Sequence, residues 1–136
     1  MSSILENFRD QIKGEVVSDV HARDYFSTDG GIFKIEPKLV VYPRNENDVV
    51  ETVKFSAKMA ERGKQLPITA RGKGTDQSGA SLSEGISLVF PAHMKKITRL
   101  TQQEISLQPG IVYATVEDRK STRLNSSHTD ISRMPS

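Results

Sequence analysis

The sequence predicts an α+β domain built around a βαβ unit, and three observations carry that prediction. Residues 38–42 (KLVVY) are a short apolar run ended by Pro43, which cannot continue a central ladder. An amphipathic stretch from Asn45 to Arg62 follows, and residues 65–70 return as a second β-compatible run. Directly after it, Arg71-Gly72-Lys73-Gly74-Thr75 turns within a few residues from apolar sequence into a glycine-spaced polar loop. Strand, helix, strand of these lengths requires two parallel strands joined by a right-handed crossover.

Residues 3–13 fit a short amphipathic helix, with Ile4, Leu5, Phe8 and Ile12 at helical spacing, Ser3 and Glu6 as a capping box, and Gly14 as its end. Val16, Val17 and Val20 are apolar, and Asp29-Gly30-Gly31 demands a turn. In the central helix Asn45 is a suitable N-cap with Asp48 three residues on. Val49, Val53, Ala57 and Ala60 are expected as its buried stripe, Lys58 and Arg62 complement the dipole, and Gly63 suits the C′ position. Beyond the loop, residues 85–90 predict a further strand and residues 91–96 a helical turn. Residues 97–100 and 104–108 predict a hairpin around Gln102-Gln103, and Pro109-Gly110 opens a helix from Ile111.

The loop at residues 71–79 is either a structural turn or a phosphate cradle. Successive backbone N–H groups in such a turn form an anion-binding nest, and Arg71 and Lys73 add positive charge. The common phosphate and nucleophile motifs do not fit. A G-x-G-x-x-G fingerprint starts at Gly72 and Gly74 but meets Gln77. The P-loop spacing of Gly74 and Gly79 is followed by Ala80 in place of lysine, and a G-x-S-x-G elbow from Gly79 ends in Ser83.

The run KLVVYPRNENDVVETVKFSAKMAERGKQLPITARG, the loop, and GISLVFPAHMKKI after it together resemble the PCMH-type FAD-binding domain of the vanillyl-alcohol oxidase and p-cresol methylhydroxylase superfamily. More narrowly, the chain is similar to the branch of FAD-linked oxidases that holds D-lactate dehydrogenases and the glycolate oxidase flavin subunit. The resemblance spans residues 25–116 and implies the first βαβ subdomain of that fold plus a truncated start of the second. It implies FAD as cofactor, with Arg71, Gly72, Gly74, Thr75 and Gly79 on the family's pyrophosphate-wrapping loop. Lys73, Asp76 and Gln77 lie within that loop, Pro43 ends the first strand, and Gly110 sits in a Q-P-G sequence that approaches the flavin in the family. All ten residues are cofactor-binding candidates. Residues 25–32 correspond to the segment preceding the flavin domain, as a packing turn or a flavin contact. Several members of the superfamily link FAD through a loop histidine; Thr75 stands there, implying non-covalent binding. His93 is a structural residue or a ligand, and His21 is isolated, so no metal site is expected.

Residues 118–128 (DRKSTRLNSSH) match the in-frame translation of a widely used short-read sequencing adapter, and residues 132–136 (SRMPS) match its continuation beyond a sample barcode. Residues 118–136 are therefore expected to be non-native and are set aside from fold reasoning. That gives three parts: a helix and lead-in at 1–35, a partial FAD-binding domain at 36–117, and the tail. It also makes the chain a fragment of a longer protein. The tail carries Arg119, Lys120, Arg123 and Arg133 against Asp118 and Asp130. Taking these four from 19 basic residues and these two from 17 acidic ones leaves 15 of each, so the formal charge of +2 falls to zero. The basic pI then gives no argument for nucleic-acid binding.

With no cysteine in the sequence, thiolate catalysis and thiolate metal sites are excluded from this chain. Residues 1–19 hold no apolar run long enough for a signal segment or a membrane span, which makes cytoplasmic the default, or a peripheral position on the inner face of the membrane. Two function classes follow. The first is the FAD-binding part of an oxidoreductase acting on an α-hydroxy acid such as D-lactate or glycolate. Its partners would be that substrate and an electron acceptor, with an iron–sulfur domain or subunit elsewhere in the parent, and its catalytic residues would lie outside this chain. The second is a non-enzymatic nucleotide- or phosphate-binding module that uses the same loop.

Overall fold

A computed structural model describes residues 2–127. The expected tail thus falls partly inside the described residues, while its stretch from His128 to Ser136 lies outside them. The elements in chain order are α1 (Ser2–Gln11), β1 (Glu15–Val17), α2 (Val20–Tyr25), β2 (Leu39–Tyr42), α3 (Glu46–Glu61), β3 (Ile68–Arg71), β4 (Ile86–Val89), β5 (Ile97–Leu100), β6 (Ile105–Leu107) and α4 (Tyr113–Ser127). One sheet has the order β1-β2-β4-β3, and β5 and β6 form a separate antiparallel hairpin.

The expected parallel pair is present, with a third strand inserted. β2 and β3 each run parallel to β4, which lies between them, with Val41 opposite Leu88 and Arg71 opposite Val89. β4 is buried at every position, as a central strand covered on both faces must be. Side chains alternate across a strand, so each strand serves two faces. Leu39, Val41, Ile86 and Leu88 join Phe8, Ile12, Phe55, Met59, Leu66, Phe90 and Met94 in one core beneath α1 and α3. Phe8 stacks on Phe55 with ring centroids 4.4 Å apart. The alternate positions Tyr42, Arg71 and Val89 belong to the opposite face, at the carboxyl ends of the parallel strands.

α3 begins and ends as expected, and of its expected stripe Val49 packs against the core, but the fully buried face is a different one. The Asn45 side chain accepts from the Asp48 N–H, and Gly63, at φ +83°, closes the helix while Gly63 and Lys64 donate to the carbonyls of Ala60 and Met59. The buried face is Asp48, Thr52, Phe55 and Met59, whereas Val53 is 54% exposed and Ala57 lies outside. The carboxylate of Asp48 explains the difference. It accepts the N–H groups of Lys13, Gly14 and Arg44 at 2.8–2.9 Å, tying the end of α1 and the start of β1 to the head of α3. A fully bonded carboxylate can be buried; an unbonded one cannot.

At the amino end α1 starts at Ser2, so Ser3 lies inside the helix and Glu6 pairs with Arg9 instead of closing a capping box. Gly14 does not cap the helix with a positive φ; a Cβ there would overlap the Tyr42 carbonyl, so close backbone approach is what requires glycine. β1 and α2 had no strong sequence signal: β1 is three residues paired on the edge of β2, and α2 is a six-residue helix capped by Asp19.

Candidate FAD site

The site lies where the sheet's carboxyl edge meets the residues leading into β2. A cleft of about 720 Å³ is walled by residues 24–29 on one side and by Arg71, Gly72, Lys73 and Gly74 on the other, with Tyr42, Val89, Pro91 and Ala92 between them. Its size falls within the range of ligand clefts, roughly 300–1,000 Å³. The carboxyl ends of parallel strands are where open α/β sheets place ligands.

Arg71, the last residue of β3, is buried. Its Nη2 donates to the Thr28 carbonyl at 2.8 Å and its Nη1 to the Phe26 carbonyl at 3.3 Å, and its guanidinium carbon sits 5.1 Å from the Phe26 ring centroid. No carboxylate pairs with it among the described residues, so its positive charge stays uncompensated on the cleft wall. Lys73 is exposed and has no side-chain partner among the described residues. By contrast, the Lys34 ammonium at the rim is paired with Asp24 at 3.0 Å, which raises its pKa.

The loop backbone carries donors without partners: among the described residues the N–H groups of Gly72, Lys73 and Gly74, three consecutive residues on the cleft wall, have no acceptor. Gly74 has φ +72°, and a Cβ on it would run into the Arg71 guanidinium. A Cβ on Gly72 would meet nothing within 4 Å, because that position opens into the cleft. Free successive amides with two cations beside them are what a pyrophosphate requires, so these residues fit FAD.

The other candidates divide by position. Asp76 closes the far side of the loop, accepting from Ser81 Oγ at 2.8 Å and from the Ala80 N–H at 3.0 Å. The Ser81 bond first, with the Ala80 N–H, holds its carboxyl below the usual range. Thr75, Gln77 and Gly79 continue the loop beyond the cleft lining; Gly79 has φ +82°. Pro43 is buried just past Tyr42, and Gly110, whose N–H donates to the Met94 carbonyl at 2.8 Å, packs behind the Pro91 wall. Neither lines the cleft. His93 bonds Glu15 at 2.6 Å and thereby lowers the Glu15 pKa, a structural link between β1 and the turn after β4.

Of the wall residues that the sequence did not single out, two bear on the site most directly. Tyr42 was legible in principle, as the last residue of β2 on the face opposite the core; burial raises its phenol pKa. Asp29 was read only as part of a turn, yet its carboxylate reaches Gly79. No local signal could have shown a contact spanning that much sequence.

Parallel strands, a crossover helix and a nest of free amides define a nucleotide-cofactor domain. The sequence matches the FAD binding domain family over residues 37–126, and the chain belongs to that family. It is 31% identical over 101 residues to the D-2-hydroxyglutarate dehydrogenase of Escherichia coli (strain K12), covering 73% of this chain and 10% of that protein. To the enzyme of the same name from Pseudomonas putida (strain KT2440) it is 29% identical over 102 residues, covering 74% and 10%. The chain thus spans about a tenth of the length of these curated relatives. Among solved structures, alkyldihydroxyacetonephosphate synthase superposes with a TM-score of 0.70 at 17% identity, over 90% of this chain and 25% of that one. The 6-hydroxy-D-nicotine oxidase of Arthrobacter nicotinovorans gives 0.64 at 21%, over 82% and 24%. At these identities the structures bear on fold alone, and they bear out the PCMH-type FAD-binding fold expected from the loop and its flanks.

Proposed function

We propose that this chain is the FAD-binding portion of an oxidoreductase that oxidises an α-hydroxy acid, the class to which D-lactate, glycolate and D-2-hydroxyglutarate belong. The observation that carries this reading is the run of three uncommitted N–H groups at Gly72, Lys73 and Gly74 on a cleft that also presents Arg71. The relatives named D-2-hydroxyglutarate dehydrogenase supply the substrate class. Bound FAD supplies two-electron acceptor chemistry, and the protein supplies binding and orientation. Here the loop amides and Lys73 take the pyrophosphate, Arg71 fixes the loop's start, and Thr75 in the loop leaves the flavin unlinked. Substrate-facing groups belong to the remainder of the parent protein. Electrons leave to a separate acceptor, with any iron–sulfur cluster held by other residues because this chain has no cysteine. Among the described residues no helix is long and apolar enough to cross a membrane. We place the parent in the cytoplasm or against the inner face of the membrane.

The test is the purified parent protein. Acid denaturation should release free FAD, and D-2-hydroxyglutarate, D-lactate and glycolate should be assayed with an artificial electron acceptor. A flavin-free protein that binds ATP tightly would overturn the reading in favour of a phosphate-binding module. Lys73→Ala should weaken FAD binding only about fivefold, the worth of one exposed charge at roughly 1 kcal/mol, because the amides remain.

We also propose that residues 118–136 are not part of the native domain. α4 runs through the junction, and none of residues 113–121 is buried. The family match reaches residue 126, past that boundary, so the two readings differ over nine residues and truncation decides between them. Ending the chain after Val116 should shift unfolding stability by no more than about 0.5 kcal/mol, as for changes away from packed features. A larger loss in thermal or urea unfolding would show that the tail docks.

A further inference from the structure

We propose that Asp29 is a positioning residue for the FAD loop, one half of a reciprocal staple between residues 26–31 and 71–79; this rests on the FAD reading above. Its two carboxylate oxygens have separate tasks. Oδ1 accepts the Gly31 N–H at 2.8 Å, shaping its own turn, and Oδ2 accepts the Gly79 N–H at 3.0 Å across fifty positions of sequence. Alongside, the Gly30 N–H donates to the Asp76 carbonyl at 2.8 Å. Arg71 reaches back the other way to the Phe26 and Thr28 carbonyls. The two segments therefore hold each other at both ends of the loop.

The turn lies flat on the loop. A Cβ on Gly30 would come within 2.6 Å of the Thr75 carbonyl oxygen, and one on Gly31 within 2.5 Å of that of Gln77. Asp29 also lines the cleft, where a bare carboxylate would repel a pyrophosphate. Each oxygen is instead bonded to a backbone N–H, which holds the carboxylate in place against the loop and directs its lone pairs to those donors. Gly79 is thereby committed to Asp29, while Gly72, Lys73 and Gly74 keep their N–H groups for the ligand.

The experiment compares the parent protein with its Asp29→Ala and Asp29→Asn variants. Hydrogen exchange by mass spectrometry is read on peptides within residues 71–80, without FAD, and FAD is titrated by flavin fluorescence. Asp29→Ala should speed exchange across the loop and raise the FAD Kd about tenfold or more, as expected for losing charged hydrogen bonds. β2 and β4 should exchange as before. Asp29→Asn keeps one acceptor oxygen and should fall between the other two proteins in both measurements. Unchanged loop exchange in Asp29→Ala would overturn the proposal. So would a Kd shift below about twofold despite faster exchange, or tighter FAD binding by Asp29→Asn, which would mark the carboxylate as a mere repelling charge. If Asp29→Ala opens β2 and β4 as well, Asp29→Asn decides by the same criteria. If the unsubstituted parent protein takes no FAD, the cofactor reading fails and the exchange measurement alone decides the staple.

Discussion

Gly74→Val empties the flavin site of the parent protein. Gly74 sits at φ +72°, a conformation that costs an L-residue about 1–2 kcal/mol and a β-branched one more. Its new Cβ would also occupy the space of the Arg71 guanidinium, forcing Arg71 off two carbonyls whose charged hydrogen bonds are worth about 1.5–3 kcal/mol each. Together these contributions come to about 4 kcal/mol or more, and even part of that falling on the bound state lowers FAD affinity by more than about a hundredfold. Flavin content after purification, as the ratio of flavin to protein absorbance, reads the result. Gly72→Ala is the folding control, since its Cβ meets nothing within 4 Å and its thermal stability should match the parent's. Normal flavin content in Gly74→Val would remove the loop from the site.

Legibility followed the range of the interactions. β2, β4 and the two ends of α3 could be read because their causes are local: unbroken apolar runs, Asn45 one residue before its helix, Gly63 just past the other end. The loop could be placed at the end of β3 for the same reason. The buried face of α3 was misread at Val53 and Ala57 because hydropathy sends Asp48 to the surface, whereas three N–H groups from Lys13, Gly14 and Arg44 make its burial favourable. β1 exists only through pairing with β2, and nothing in Glu15-Val16-Val17 alone announces a strand. In the site the same division holds. The amides of Gly72 to Gly74 follow from sequence and turn chemistry, but the partners of Arg71 and Asp29 lie more than forty positions away.

Arg71→Ala separates two roles that sequence alone assigns together. A phosphate ligand on a preformed loop would, when removed, cost affinity and leave the free protein intact. The structure instead gives this guanidinium two carbonyls and an aromatic face, all inside the protein. Losing it leaves the Phe26 and Thr28 carbonyls without this donor and empties a buried side-chain position against the Phe26 ring, so stability itself should fall by about 1–2 kcal/mol. Urea unfolding of the FAD-free protein should show a lower midpoint at unchanged m, and FAD retention should fall as well because the loop's start is no longer pinned. Arg71→Lys should rescue little: one ammonium cannot span two carbonyls and cover the Phe26 ring as a planar fork does. An FAD-free midpoint equal to that of the unsubstituted protein, with affinity alone reduced, would make Arg71 a phosphate ligand and not a staple. The loop would then owe its shape to Asp29, Asp76 and its own glycines.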